Sequence, residues 1–224
     1  MVTIPSLPDA KNIPALAINV DGLKRYSFLM TFVHEAGLSP EELKLRSWFL
    51  HTVTTASRHY MKARQLVASQ NLADQVRDGG AIFYILEVHE HLEGAVMAAH
   101  RVSMALRRLS ESNADAAEFV SIHGLALAEL ASIRNQYEHM HGQITSSQTG
   151  KGPISMSFVD EGKKIKFRNL TLDSSALHGI IEAVFRVVAK MYPSFDADSP
   201  PEVGGPAKLT MRVEISELPP SMKK

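Results

Sequence analysis

The sequence predicts a mainly α-helical fold, a bundle of four to five helices with a small β-hairpin or sheet near the C-terminus. Apolar residues recur every three or four positions through three long stretches, the spacing that lines one face of a helix. Capping residues stand just ahead of several of these stretches. A two-residue period appears only after residue 153, where short strands are expected. With 224 residues and 45% hydrophobic content, the chain can bury a substantial core.

Residues 1–14, spaced by prolines, read as an extended arm, and their lack of a continuous apolar run argues against a signal peptide. Residues 15–192 are expected to form the helical bundle, with a hairpin inserted at about 154–168. The first helix, over 15–36, is interrupted at Asp21-Gly22 and closed by Gly37. Ser39, Pro40, Glu41 and Glu42 then start a helix that runs to about residue 69. Its apolar face is Leu45, Phe49, Thr52, Ala56, Tyr60, Ala63 and Val67. After a break at Asp78-Gly79-Gly80, a helix over 81–111 buries Ile85, Val88, Leu92, Val96, Ala99, Val102, Leu106 and Leu109.

Asn113 caps a third long helix, expected over 114–144. Phe119, His123, Ala126, Leu130, Ile133, Tyr137, Met140 and Ile144 make a heptad-like seam along it, suited to packing against nearly parallel neighbours. A polar loop over 145–153 leads to strands at 154–159 and 164–167, turned by residues 160–163. Asp173 or Ser174 caps a last helix, with Leu177, Ile180, Val184, Val187, Val188 and Met191 inward, and Pro193 ends it. Residues 193–224 are expected to be a linker, a half-buried strand at 208–215 and a loose tail.

Composition narrows function. Basic and acidic side chains balance at 24 each, so any nucleic-acid contact is expected to be local rather than a broad charged surface. The absence of cysteine excludes disulfides, zinc–thiolate sites, iron–sulfur clusters and cysteine nucleophiles, and fits a reducing, cytoplasmic compartment. No stretch approaches the ~20 apolar residues of a bilayer span, so no membrane partner is expected. There is no dinucleotide fingerprint, no nucleophile elbow and no phosphate loop; Thr149-Gly150-Lys151-Gly152 lacks the spacing of the last.

The end of the third long helix carries the residues best suited to chemistry. Arg134, Asn135 and His139 lie within six positions, with His141 just beyond. Cleaving RNA needs a group that moves protons near neutral pH and a charge that holds phosphate. Histidine supplies the first, and arginine, with its fork of donors, the second. Asparagine can orient either by hydrogen bonding. Asn135 and His139 share a helix face, whereas Arg134 and His139 are ~140° apart at ~100° per residue. Arg134 and His141 are nearly aligned, so His141 competes for the acid–base role. The plainer reading pairs Arg134 with Glu138 at i,i+4 and leaves the histidines as polar surface.

This Arg-polar-x3-His pattern, on a helical scaffold spanning about 38–192, resembles the signature of the HEPN superfamily. That resemblance implies a helical, often homodimeric protein that binds RNA or nucleotide. It also implies a metal-independent endoribonuclease of the toxin or defence type, with Arg134, Asn135 and His139 (or His141) in a cleft shared by two subunits. RNA, a second copy and a protein partner such as an antitoxin are the expected partners, and no cofactor is expected. The chain departs from a minimal HEPN domain in its length and its added strands. A non-enzymatic helical dimerisation protein is the alternative.

A third, weaker reading is a metal-binding bundle. His89 and Glu93 are four apart and His100 follows seven later, on one stripe of the second long helix. No Glu-x-x-His pair accompanies them, so a solvated or hydrogen-bonded stripe is the ordinary expectation.

Overall fold

In the computed structural model, backbone is described for residues 8–31, 38–72, 81–145, 155–192 and 194–198, with side chains omitted at 71–72 and 81–85. These residues form six helices and a three-stranded antiparallel sheet. The mainly helical class with a small C-terminal sheet is therefore what the chain adopts. Gly37, the break at Asp78-Gly79-Gly80, Pro193 and the expected strand at 208–215 lie outside the described residues.

The N-terminal arm is strapped down. Asp9 caps a single 3-10 turn at Ala10–Asn12, and the chain then runs without regular structure to Asn19. Two side chains of one helix hold the strap: the Tyr60 hydroxyl donates to the Pro14 carbonyl at 2.9 Å and Arg64 Nε to the Ile13 carbonyl at 2.8 Å. The Ala17 N–H donates to Glu182 at 2.8 Å. Helix α1 (Val20–Met30) begins later than expected. Asp21-Gly22 is its first turn rather than an interruption, because Asn19 caps it by accepting from the Gly22 N–H at 2.8 Å. A Cβ at residue 22 would lie 2.5 Å from the Asn19 side chain, so the cap demands glycine there.

Helix α2 (Pro40–Leu72) opens with a reciprocal capping box. The Glu42 N–H donates to Ser39 Oγ at 3.2 Å, and the Ser39 N–H to Glu42 Oε2 at 2.7 Å. Its expected face is buried from Phe49 onward, but Leu45 is 39% exposed. Arg46 takes the inward place: it donates to the Met191 carbonyl at 3.3 Å and its guanidinium sits 4.5 Å from the Tyr192 ring centre. Helix α3 (Ala81–Leu109) buries Val88, Leu92, Val96, Ala99, Val102 and Leu106 as expected, with Leu109 half-buried. Helices α2 and α3 make the most extensive pairing in the fold.

Helix α4 (Ala114–Glu138) starts on the Asn113 cap but stops six residues short of the expectation. His139, at φ −85° and ψ 2°, breaks the helical path, and a short helix α5 (Met140–Thr145) follows. The expected seam splits accordingly. Phe119, Leu130 and Ile133 are buried, while Ile144, past the break, is 47% exposed. Against expectation, α4 is long and apolar enough to cross a membrane by length and composition, and only 22% of its most apolar window is buried.

The expected hairpin carries a third, unexpected strand. Strands β1 (Ser157–Val159), β2 (Lys164–Phe167) and β3 (Leu170–Asp173) pair in sequence order. Pairing Phe158↔Ile165 and Ile165↔Leu172 sets three buried apolar residues side by side. Arg168-Asn169 makes the two-residue turn between β2 and β3, with Arg168 at φ 56°. Gly162, at φ 96°, closes the first turn where a Cβ would lie 2.9 Å from the Asp9 carbonyl. The sheet gains its cover from α3, α4 and α6, as a three-stranded sheet requires. Helix α6 (Ser174–Lys190) buries Leu177, Ile180, Val184, Val187 and Val188, and leaves Met191 half-buried.

Candidate functional site

The Arg-polar-x3-His motif occupies the last turn of α4 and its exit. Arg134 is half-buried and turned toward α3, whereas Asn135 and His139 are exposed on the other side. The Arg134 guanidinium forms an ion pair with Glu138, and its Nη1 donates to Asn135 Oδ1 at 3.0 Å. His139 is the helix C-cap; its N–H donates to the Asn135 carbonyl at 3.1 Å. His141, exposed on α5, offers its carbonyl to the Thr145 hydroxyl at 3.1 Å. Neither histidine ring hydrogen-bonds to Arg134 among the described residues. The plainer expectation, an i,i+4 pair with Glu138, is the contact present.

A different histidine lies near that arginine. His100 of α3 is held below its usual pKa, first by burial and then by the positive charge of Arg134; Glu138 acts in the opposite sense. One turn further along α4, the Tyr137 hydroxyl donates to Glu93 at 2.8 Å. Burial, and next this carboxylate, push the phenol up to about 12. The α3–α4 groove therefore carries Glu93, Tyr137, His100, Arg134 and Glu138.

This geometry also answers the metal reading. Glu93 is engaged by Tyr137, and His100 sits beside a cation. Glu93 and His100 are seven helical positions apart, a rise of ~10 Å. Among the described residues no group of three potential ligands could hold a metal ion. His89 is half-buried, and burial lowers its pKa. His123 stacks on Phe119 at 5.3 Å between ring centres, as a seam histidine should.

The β2–β3 turn completes the motif's surroundings. Gln136 Nε2 donates to Asn169 Oδ1 at 3.1 Å, and Arg168 donates to Gln143 of α5. Arg168 thus stands over the same helix end as His139 and His141. Sequence inspection passed over Arg168 and the pairing of His100 with Arg134. The first carried a signal: Arg168-Asn169 lies between the alternating runs ending at Phe167 and beginning at Leu170. The second carried none, because only packing sets α3 against α4.

No protein-family model, curated protein or solved structure matches the chain.

Proposed function

We propose that the chain is a homodimeric, HEPN-like helical protein that binds RNA through the end of α4 and cleaves it without metal. One observation carries this reading. The solvent face of α4 presents Ile122 and Leu125, 67% and 89% exposed, and the same face runs on to His139. An apolar face of this kind is a protein contact in waiting. Ser132, small and exposed, lies between Leu125 and His139. Two copies crossing antiparallel at Ser132 would set Leu125 of each beside His139 of the other, with the two His139 positions ~21 Å apart along the contact.

At such an interface Arg134 and Arg168 hold phosphate oxygens, His139 (or His141) moves the proton, and Asn135 orients them. His100 acts on Arg134 from behind. The expected results are a dimer by light scattering that becomes a monomer in Leu125→Asp. RNA cleavage in EDTA should be lost in Arg134→Ala and in His139→Ala or His141→Ala. A monomeric native protein sinks the dimer, and cleavage unchanged in all three variants sinks the nuclease. Partition of the native chain into lipid vesicles, abolished by Leu125→Asp, would reassign the face to a membrane.

The Arg134–Glu138 pair favours a second reading, a dimerisation protein without catalysis, because it occupies the phosphate-binding group. An intact dimer that neither binds nor cleaves RNA is its signature.

A further inference from the structure

We propose that the cleft between the N-terminal strap, α1 and α2 binds a small, largely apolar carboxylic acid, with Arg58 as its anion partner. The cleft has a volume of about 420 Å³, within the ~300–1,000 Å³ usual for small-molecule sites. Leu16 and Ile18 of the strap, Val20 of α1 and Met61 of α2 supply apolar wall. Such walls suit a hydrocarbon body and disfavour a sugar or a nucleotide.

The charges at the cleft are unequal. Asp21 and Lys24 face each other at 3.0 Å and cancel. Arg58 is exposed at the rim and makes no hydrogen bond or ion pair among the described residues. Among the described lining residues the uncompensated charge is therefore a single positive one, which fits a monoanion. A guanidinium takes a carboxylate through two parallel hydrogen bonds. A phosphate dianion would leave one negative charge unmatched by a single arginine.

The floor adds an independent sign. Thr52, Thr55 and Ser57 each return their hydroxyl to the carbonyl four residues back, at 2.8, 2.9 and 2.8 Å. Thr54, which also lines the cleft and is 8% exposed, does not; its Oγ1 has no partner among the described residues. A buried hydroxyl without a partner is costly. Thr54 lines the cleft, so the acceptor assigned to this hydroxyl is a ligand carboxylate oxygen, reached by rotation about χ1.

The test uses the full chain with hexanoate and benzoate as probes, and hexanol and benzamide as their neutral counterparts. Titration calorimetry or saturation-transfer NMR should show both acids binding at least ten-fold more tightly than the neutral molecules. Arg58→Gln should remove that preference and leave the thermal midpoint unchanged. Val20→Trp, which fills the cleft, should abolish binding of all four. The proposal is overturned if acids and neutral counterparts bind alike, if Arg58→Gln leaves the acids unaffected, or if none binds at millimolar concentration. None of these outcomes bears on α4, so the site stands or falls apart from the ribonuclease reading.

Discussion

The ion pair between Arg134 and Glu138 occupies the candidate site, and its strength decides whether it closes it. The two side chains are 32% and 39% exposed and stand at i,i+4 on one helix. Such pairs contribute ~0.3–0.5 kcal/mol, about two-fold in an equilibrium constant. A hydrogen bond from a guanidinium to a charged phosphate oxygen contributes ~1.5–3 kcal/mol. On the proposed reading, phosphate should therefore displace Glu138 readily, with the pair acting as a weak competitor. Glu138→Gln should tighten binding of a fluorescein-labelled single-stranded RNA about two-fold, while Arg134→Gln should weaken it about ten-fold or more. Fluorescence anisotropy in EDTA, at fixed low salt, measures both. His100 supplies an internal control by NMR titration. Its pKa should fall further in Glu138→Gln and rise in Arg134→Gln, since these two charges act on it in opposite senses. Weaker RNA binding in Glu138→Gln, or unchanged binding in Arg134→Gln, refutes the assignment of Arg134 to phosphate.

Other consequences follow from the packing. Tyr60→Phe leaves the Pro14 carbonyl without its donor, so stability should fall by ~1–3 kcal/mol, read as a lower urea midpoint. Leu92→Ala, at a fully buried position of α3, should cost ~2–5 kcal/mol; a smaller loss would mean the core there collapses on the cavity. His59, His89, His100 and His123 are all held below 6.5, chiefly by burial. His59 also contacts His91 across α2 and α3, Nδ1 to Nδ1, at 2.9 Å, an arrangement that leaves room for only one proton between the rings. Because the unfolded chain takes up protons first, the thermal midpoint should be level above pH 7 and fall as pH drops below 6.5. A midpoint that rises on acidification would contradict that burial.

How much of this was readable beforehand depends on the range of each determinant. Ser39 with Glu42, and Asn113, announced their helix starts because a cap is a contact over three residues. Val88 to Leu106 and Leu177 to Val188 were placed inward by periodicity alone. Leu45 differs from expectation because Arg46 takes the inward place, and its partner Tyr192 lies 146 residues away, just past α6. Asp21-Gly22 was read as a break because glycine usually weakens helices, whereas here Asn19 makes it the first turn.

The candidate site divides along the same line. The sequence by itself determined the helical class and put Arg134, Asn135 and His139 near the end of a helix, since helical periodicity is local. Only the tertiary structure decided what each of them meets. Packing of α3 on α4 put His100 beside Arg134, docking of the β2–β3 turn brought Arg168 and Asn169 to Gln143 and Gln136, and the kink at His139 carried His141 onto a separate helix. Those contacts join residues far apart in the chain, and no local pattern encodes which distant surface a helix face will find.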